Sequence, residues 1–182
     1  CKRLNSRAPR VRFPRMNAVQ LFRLSGASAI AGGALRIVSA LPLSADPTQQ
    51  QWLWVIIDIL LTLGLIGIYV SRSEKLGFLG LMSFAIAMAA LSFIGGPDAD
   101  PFGFSTYEQG AATLMIALIG LSIAWLRAKE KPLAPPLCWF GAALAAGVLG
   151  MLPAPLPDYA FMVAGILFGA GFVLAGLPLL RR

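Results

Sequence analysis

Apolar stretches alternate with short polar links along almost the whole chain, at 21–41, 52–70, 77–94, 107–126, 137–152 and 159–180. All but the stretch at 137–152 come close to the ~20 residues that a helix needs to cross ~30 Å of hydrocarbon. Pro42 ends the first stretch, Gly95-Gly96-Pro97 ends the third, and Pro132, Pro135 and Pro136 precede the short fifth. Such punctuation marks helix ends rather than helix interiors. Loops this short join antiparallel neighbours. The pattern therefore predicts an all-α, polytopic membrane protein of six transmembrane helices in three consecutive antiparallel hairpins.

Charge in the links orients the predicted bundle. Arg72 and Lys75 lie in one link, Arg127, Lys129 and Lys131 in another, and Arg181 and Arg182 close the sequence. The links between these hold Asp46, then Asp98 and Asp100, then Asp158, with no Lys or Arg among them. Cytoplasmic loops gather Lys and Arg, so both termini are expected on the cytoplasmic side. Trp52, Trp54, Tyr107 and Tyr159 fall at the outer ends, and Tyr69, Trp125 and Trp139 at the inner ends. Amphipathic rings prefer the head-group level, so the aromatic residues predict the same topology.

Composition agrees with this picture and narrows it. A mean hydropathy of +0.76 and 58% hydrophobic residues lie outside the range of soluble domains. The net charge of +7 is concentrated rather than spread. Lys2, Arg3, Arg7, Arg10, Arg12 and Arg15 supply six cations before the first stretch, with no acid among them. This speaks against a nucleic-acid partner and for the lipid bilayer as the chain's surroundings. Residues 1–20 read as a basic, disordered N-terminal tail, with Met16 as the natural start, and residues 21–182 as a single six-helix domain. A basic arm touching anionic head groups is the functional alternative for the tail.

Arg36 and Asp58 are the ionisable residues placed well inside the predicted hydrocarbon. Arg36 lies thirteen residues beyond Arg23 and Asp58 fourteen before Arg72, hence each ~20 Å from the inner face. Consecutive helices thus carry opposite charges at nearly one depth. Arg36 shares its helical stripe with Ser25, Ala29, Gly32, Gly33 and Ser39, and Asp58 shares its own with Thr62, Leu65 and Tyr69. Small and hydroxylated residues mark packing faces in lipid, so both charges are expected to point into the bundle. Two readings stay open. Arg36 and Asp58 form a static pair that locks the first hairpin, or they line a polar pocket, with Thr62 and with Glu108 at the outer start of the fourth helix. Such a pocket would bind a small polar or anionic solute, with Arg36 as its anchor.

Other features carry less. Gly165, Gly169, Gly171 and Ala175 make a close-packing face on the sixth helix, and Gly141, Ala145 and Gly147 a similar one on the fifth. These faces are expected to serve internal packing, with a membrane-protein partner as the alternative. The sequence contains no histidine, which removes His-ligated metal and haem sites and every Ser-His or Cys-His nucleophile. Cys1 and Cys138 form no ligand motif, and no phosphate-cradling glycine loop stands outside the stretches. No enzymatic activity, cofactor or metal is expected.

The segments Leu24-Ser25-Gly26, Gly32-Gly33-Ala34-Leu35-Arg36 and Asp58-Ile59-Leu60-Leu61, with Gly64 through Tyr69, resemble small six-span bacterial integral membrane proteins with no assigned activity. That resemblance implies a multi-pass protein of the bacterial cytoplasmic membrane. Size and span number also resemble the substrate-binding subunits of energy-coupling-factor vitamin transporters. Ala27 and Ala31 match the Ala-x-x-x-Ala of their first helix, a spacing also met at Ala85 and Ala89 and at Ala142 and Ala146. This second resemblance implies capture of a small solute.

Overall fold

In lipid a backbone amide has no water to bond, so apolar runs satisfy their own N–H and C=O groups as helices. The computed structural model describes residues 18–41, 47–94, 105–153 and 156–181. Among them the chain is all-helical: α1 Ala18–Ser39, α2 Pro47–Val70, α3 Ser73–Ile94, α4 Thr106–Arg127, α5 Ala134–Val148 and α6 Leu156–Leu180, with a 3-10 turn, Leu149–Met151, after α5. Five of these helices are long and apolar enough to cross a membrane. The fifth in order, α5, has 15 residues, or ~22 Å of rise. Residues 1–15, Asp46, Asp98, Asp100 and the side chain of Asp158 lie outside the described residues.

The helix starts differ from the sequence reading for local reasons. Ahead of Leu21, α1 already begins at Ala18. In α2 the first residue is Pro47 rather than Trp52. A first-turn proline loses nothing by lacking an N–H and brings a helical φ with it. The same holds for α5, whose first turn takes in Pro135 and Pro136. Ser105 caps α4, its hydroxyl accepting the backbone N–H of Glu108 at 3.3 Å, one of the donors that a helix start otherwise leaves unpaired. Inside α3, Gly77 has φ 61° and ψ −163°. That region is open to glycine and strained for other residues, so the span effectively begins after Gly77.

Small residues set the register of the bundle. A Cβ added at Gly64 would press on Ala29, one at Gly67 on Ser25, and one at Gly32 on Leu60 and Leu61, so α1 runs antiparallel to α2. On its other side α1 meets α6, its most extensive partner. There Gly26 faces Gly176, Gly33 faces Gly169 and Ala40 faces Gly165. Direct backbone approach of this kind is how helices associate where lipid removes the hydrophobic drive. The α3–α4 and α5–α6 pairs are also antiparallel: Gly110 meets Phe93 and Gly120 meets Ser83, while Trp139 meets Gly171 and Gly141 meets Leu167. The α6 glycines singled out in the sequence are thus used within the chain.

At the centre Leu61, Leu65, Leu118, Leu121, Trp125, Trp139 and Phe172 are all buried to within 1%. Trp139 of α5 stands edge-on to Trp125 at 5.9 Å between centroids and 5.2 Å from Phe172. Glycine at position 171 leaves room for the Trp139 indole. Large side chains such as Phe78, Phe93, Ile116 and Phe161 face outward, as the surroundings of a membrane protein require.

Candidate functional site

The α1–α2 register carries the match between Arg36 and Asp58 from the sequence into space. With Ser25 beside Gly67, Ala29 beside Gly64 and Gly32 beside Leu60 and Leu61, one further turn sets Arg36 at the level of Asp58. Arg36 continues the face of α1 that buries Ser25, Ala29, Gly32 and Gly33, so it belongs to the packed side of the helix. The two residues do not form a direct ion pair. The Arg36 guanidinium Nη1 donates to Ser39 Oγ at 3.4 Å, and Ser39 Oγ donates to the Arg36 carbonyl at 2.9 Å. The Arg36 and Asp58 side chains are both half-buried.

Among the described residues the polar groups around this level are few and asymmetric. Thr62 is half-buried one turn further in on the Asp58 face. One turn toward the start of α2, Trp54 stacks on Tyr107 at 5.9 Å between ring centroids, which ties the N-terminal parts of α2 and α4 together. The buried indole N–H of Trp54 has no acceptor among the described residues. Glu108 is exposed beside Tyr107. It joins neither Arg36 nor Asp58 in an ion pair; among the described residues the salt bridge that forms is at the opposite end, between Lys75 and Glu130.

That opposite end holds a cluster missed in the sequence. Arg72 is 6% exposed. Its guanidinium lies 4.2 Å over the Trp125 ring and donates to Ser71 Oγ at 2.9 Å and to the Ile68 carbonyl at 3.4 Å. Trp125 Nε1 donates to the Glu130 carbonyl at 2.9 Å, and the Glu130 carboxylate meets Lys75 Nζ at 2.8 Å. The α2–α3 link is thereby fastened to the α4–α5 link. A buried guanidinium keeps its charge when it has an aromatic face and fixed oxygen acceptors. This arrangement corrects two expectations. Trp125 and Trp139 are the floor of the core rather than an interfacial belt, and Tyr69 stacks on Phe84 at 4.2 Å. Arg72, expected only as a loop cation, is packed into the core. A signal was present: Glu74 and Glu130 share the basic links, and an acid among loop cations marks a partner for one of them.

No known protein-family model, curated protein or solved structure matches the chain.

Proposed function

We propose that the chain is a six-span protein of the cytoplasmic membrane with both termini inside, and that it is a non-enzymatic binder of a small polar or anionic solute at Arg36 and Asp58. In this reading α5 and the 3-10 turn after it make the shortest crossing. The observation that carries it is a pair of opposite charges at one level of adjacent helices, half-buried and without a direct bond to each other. A charge left alone at that depth costs roughly 2.5–3.5 kcal/mol, and it is sustained by water or a ligand. Arg36 and the Trp54 N–H supply donors for an anionic group, while Asp58 and Thr62 accept from the rest of the solute. Leu61, Leu65, Leu118, Leu121 and the Trp125–Trp139–Phe172 cluster fill the bundle below. A solute would therefore arrive from the outer side and stop at Asp58, which fits a binder or the outward state of a transporter.

One observation favours the accessory reading, a structural protein stiffened at this level. Arg36 is tied to Ser39 of its own helix, and α1 is pressed between α2 and α6 through glycines.

A ligand screen separates the two. Thermal melting of the purified protein against small carboxylates, phosphates and amino acids should yield stabilising compounds. Arg36→Gln should abolish their shift, each protein being compared with its own ligand-free melt. If no such compound stabilises the parent, or Arg36→Gln retains the shift, the accessory reading takes over.

A further inference from the structure

A groove of the described residues lies away from Arg36. It lies between the inner ends of α3 and α4, with a volume of about 260 Å³, lined by Lys75, Leu76, Phe78, Leu79, Ala124, Arg127 and Ala128. Its lining contains two cations and no acid. Arg127 is exposed and forms no ion pair among the described residues. Lys75 is held in place by Glu130, yet its side chain remains 62% exposed, so ammonium donors remain for another partner. Next to these charges stand Phe78 and Leu79, 76% and 40% exposed. The break at Gly77 turns α3 here, and a Cβ at that position would meet nothing within 4 Å.

We infer that this groove holds the headgroup of an anionic phospholipid. Its phosphate would be taken by Lys75 and Arg127, and its acyl chains would run along Phe78 and Leu79. Two features together select a lipid over a soluble anion. Paired cations at the end of apolar helices offer bidentate and point-charge contacts to phosphate. The adjoining exposed aromatic and aliphatic surface is uncovered among the described residues and continues in the direction the acyl chains must take. The groove is open, so a phosphoglycerol head can enter it while the chains lie outside the bundle. The orientation proposed above decides only that the inner leaflet supplies the lipid; binding in detergent does not depend on it. Failure here would leave the solute site untouched, and failure of that site would leave this groove as it is.

The test is thermal melting and native mass spectrometry of the full chain in neutral detergent, titrated with phosphatidylglycerol. Phosphatidylcholine of the same chains and soluble glycerol phosphate are the comparison arms. Phosphatidylglycerol should raise the melting temperature and remain bound, with the other two inert. Arg127→Gln and Lys75→Gln should each weaken it about fivefold, since a basic residue near an anionic headgroup contributes about that factor. Arg23→Gln, at the same end of the bundle on α1, should not. Equal effects of the two lipids, a shift from glycerol phosphate alone, or equal weakening by Arg23→Gln would each overturn the site.

Discussion

Gly33→Leu should prevent α1 from seating against α6 and leave the protein unable to fold to a stable bundle. A Cβ at Gly33 would stand 2.5 Å from the Gly169 carbonyl oxygen and 3.1 Å from the Val173 amide. Backbone atoms cannot rotate away as a side-chain end can, so the helices must separate. Gly33→Ala should already cost about 1–3 kcal/mol, in the range of an overpacked core. Separation at this seam also displaces Arg36, one turn along the same helix. Gly147→Ala is the control, because a Cβ there meets nothing within 4 Å; it should melt at or slightly above the parent, as an unstrained helical alanine does. Melting in detergent reads all three variants, and parent-like melting of Gly33→Ala would remove the seam from the account.

Arg72→Ala should lower stability by about 2 kcal/mol, the order of a desolvated cation–π contact. The guanidinium is 6% exposed and touches the Trp125 face, a serine hydroxyl and a helix-end carbonyl at once. Lys75→Ala, which breaks the exposed Lys75–Glu130 bridge, should cost only a few tenths of a kcal/mol. Arg72→Lys should recover part of the loss, since an ammonium keeps the charge and loses the planar stacking. Equal losses from Arg72→Ala and Lys75→Ala would mean that Arg72 acts as one loop cation among several. Denaturant titration followed by tryptophan fluorescence suits this series, because Trp125 reports the environment that Arg72 covers.

Much of the bundle was legible in the sequence because lipid imposes so strong a rule. A run such as 107–126 is apolar apart from Glu108 and Gln109 at its start and the isolated Thr113 and Ser122, and the helix found is Thr106–Arg127. The common depth of Arg36 and Asp58 was also readable, since rise per residue converts sequence distance into height. Rotation is less readable than height. Trp125 and Trp139 stand at the height expected of an interfacial belt, but they turn inward to pack on each other and on Phe172. Their direction depends on which neighbour each helix meets, and a spacing rule does not contain that. The α1–α6 seam was invisible for the same reason. Gly33 and Gly169 meet only when the first and last helices are brought together. Depth alone also does not say which group Arg36 bonds: its guanidinium donates to Ser39 Oγ within α1 at 3.4 Å and makes no direct bond to Asp58.

Whether the level of Arg36 and Asp58 is open to the outer side is the central question, and cysteine accessibility in intact cells tests it most directly. Cys1 and Cys138 are first replaced by serine, and single cysteines are introduced as Asp58→Cys, Thr62→Cys and Leu65→Cys. A membrane-impermeant thiol reagent is then added from outside. The account predicts labelling at position 58, weaker labelling at 62 and none at 65, where the side chain is fully buried above the aromatic floor. Protection of position 58 from outside, or labelling at 65 equal to that at 58, would contradict an outward-facing polar site closed below.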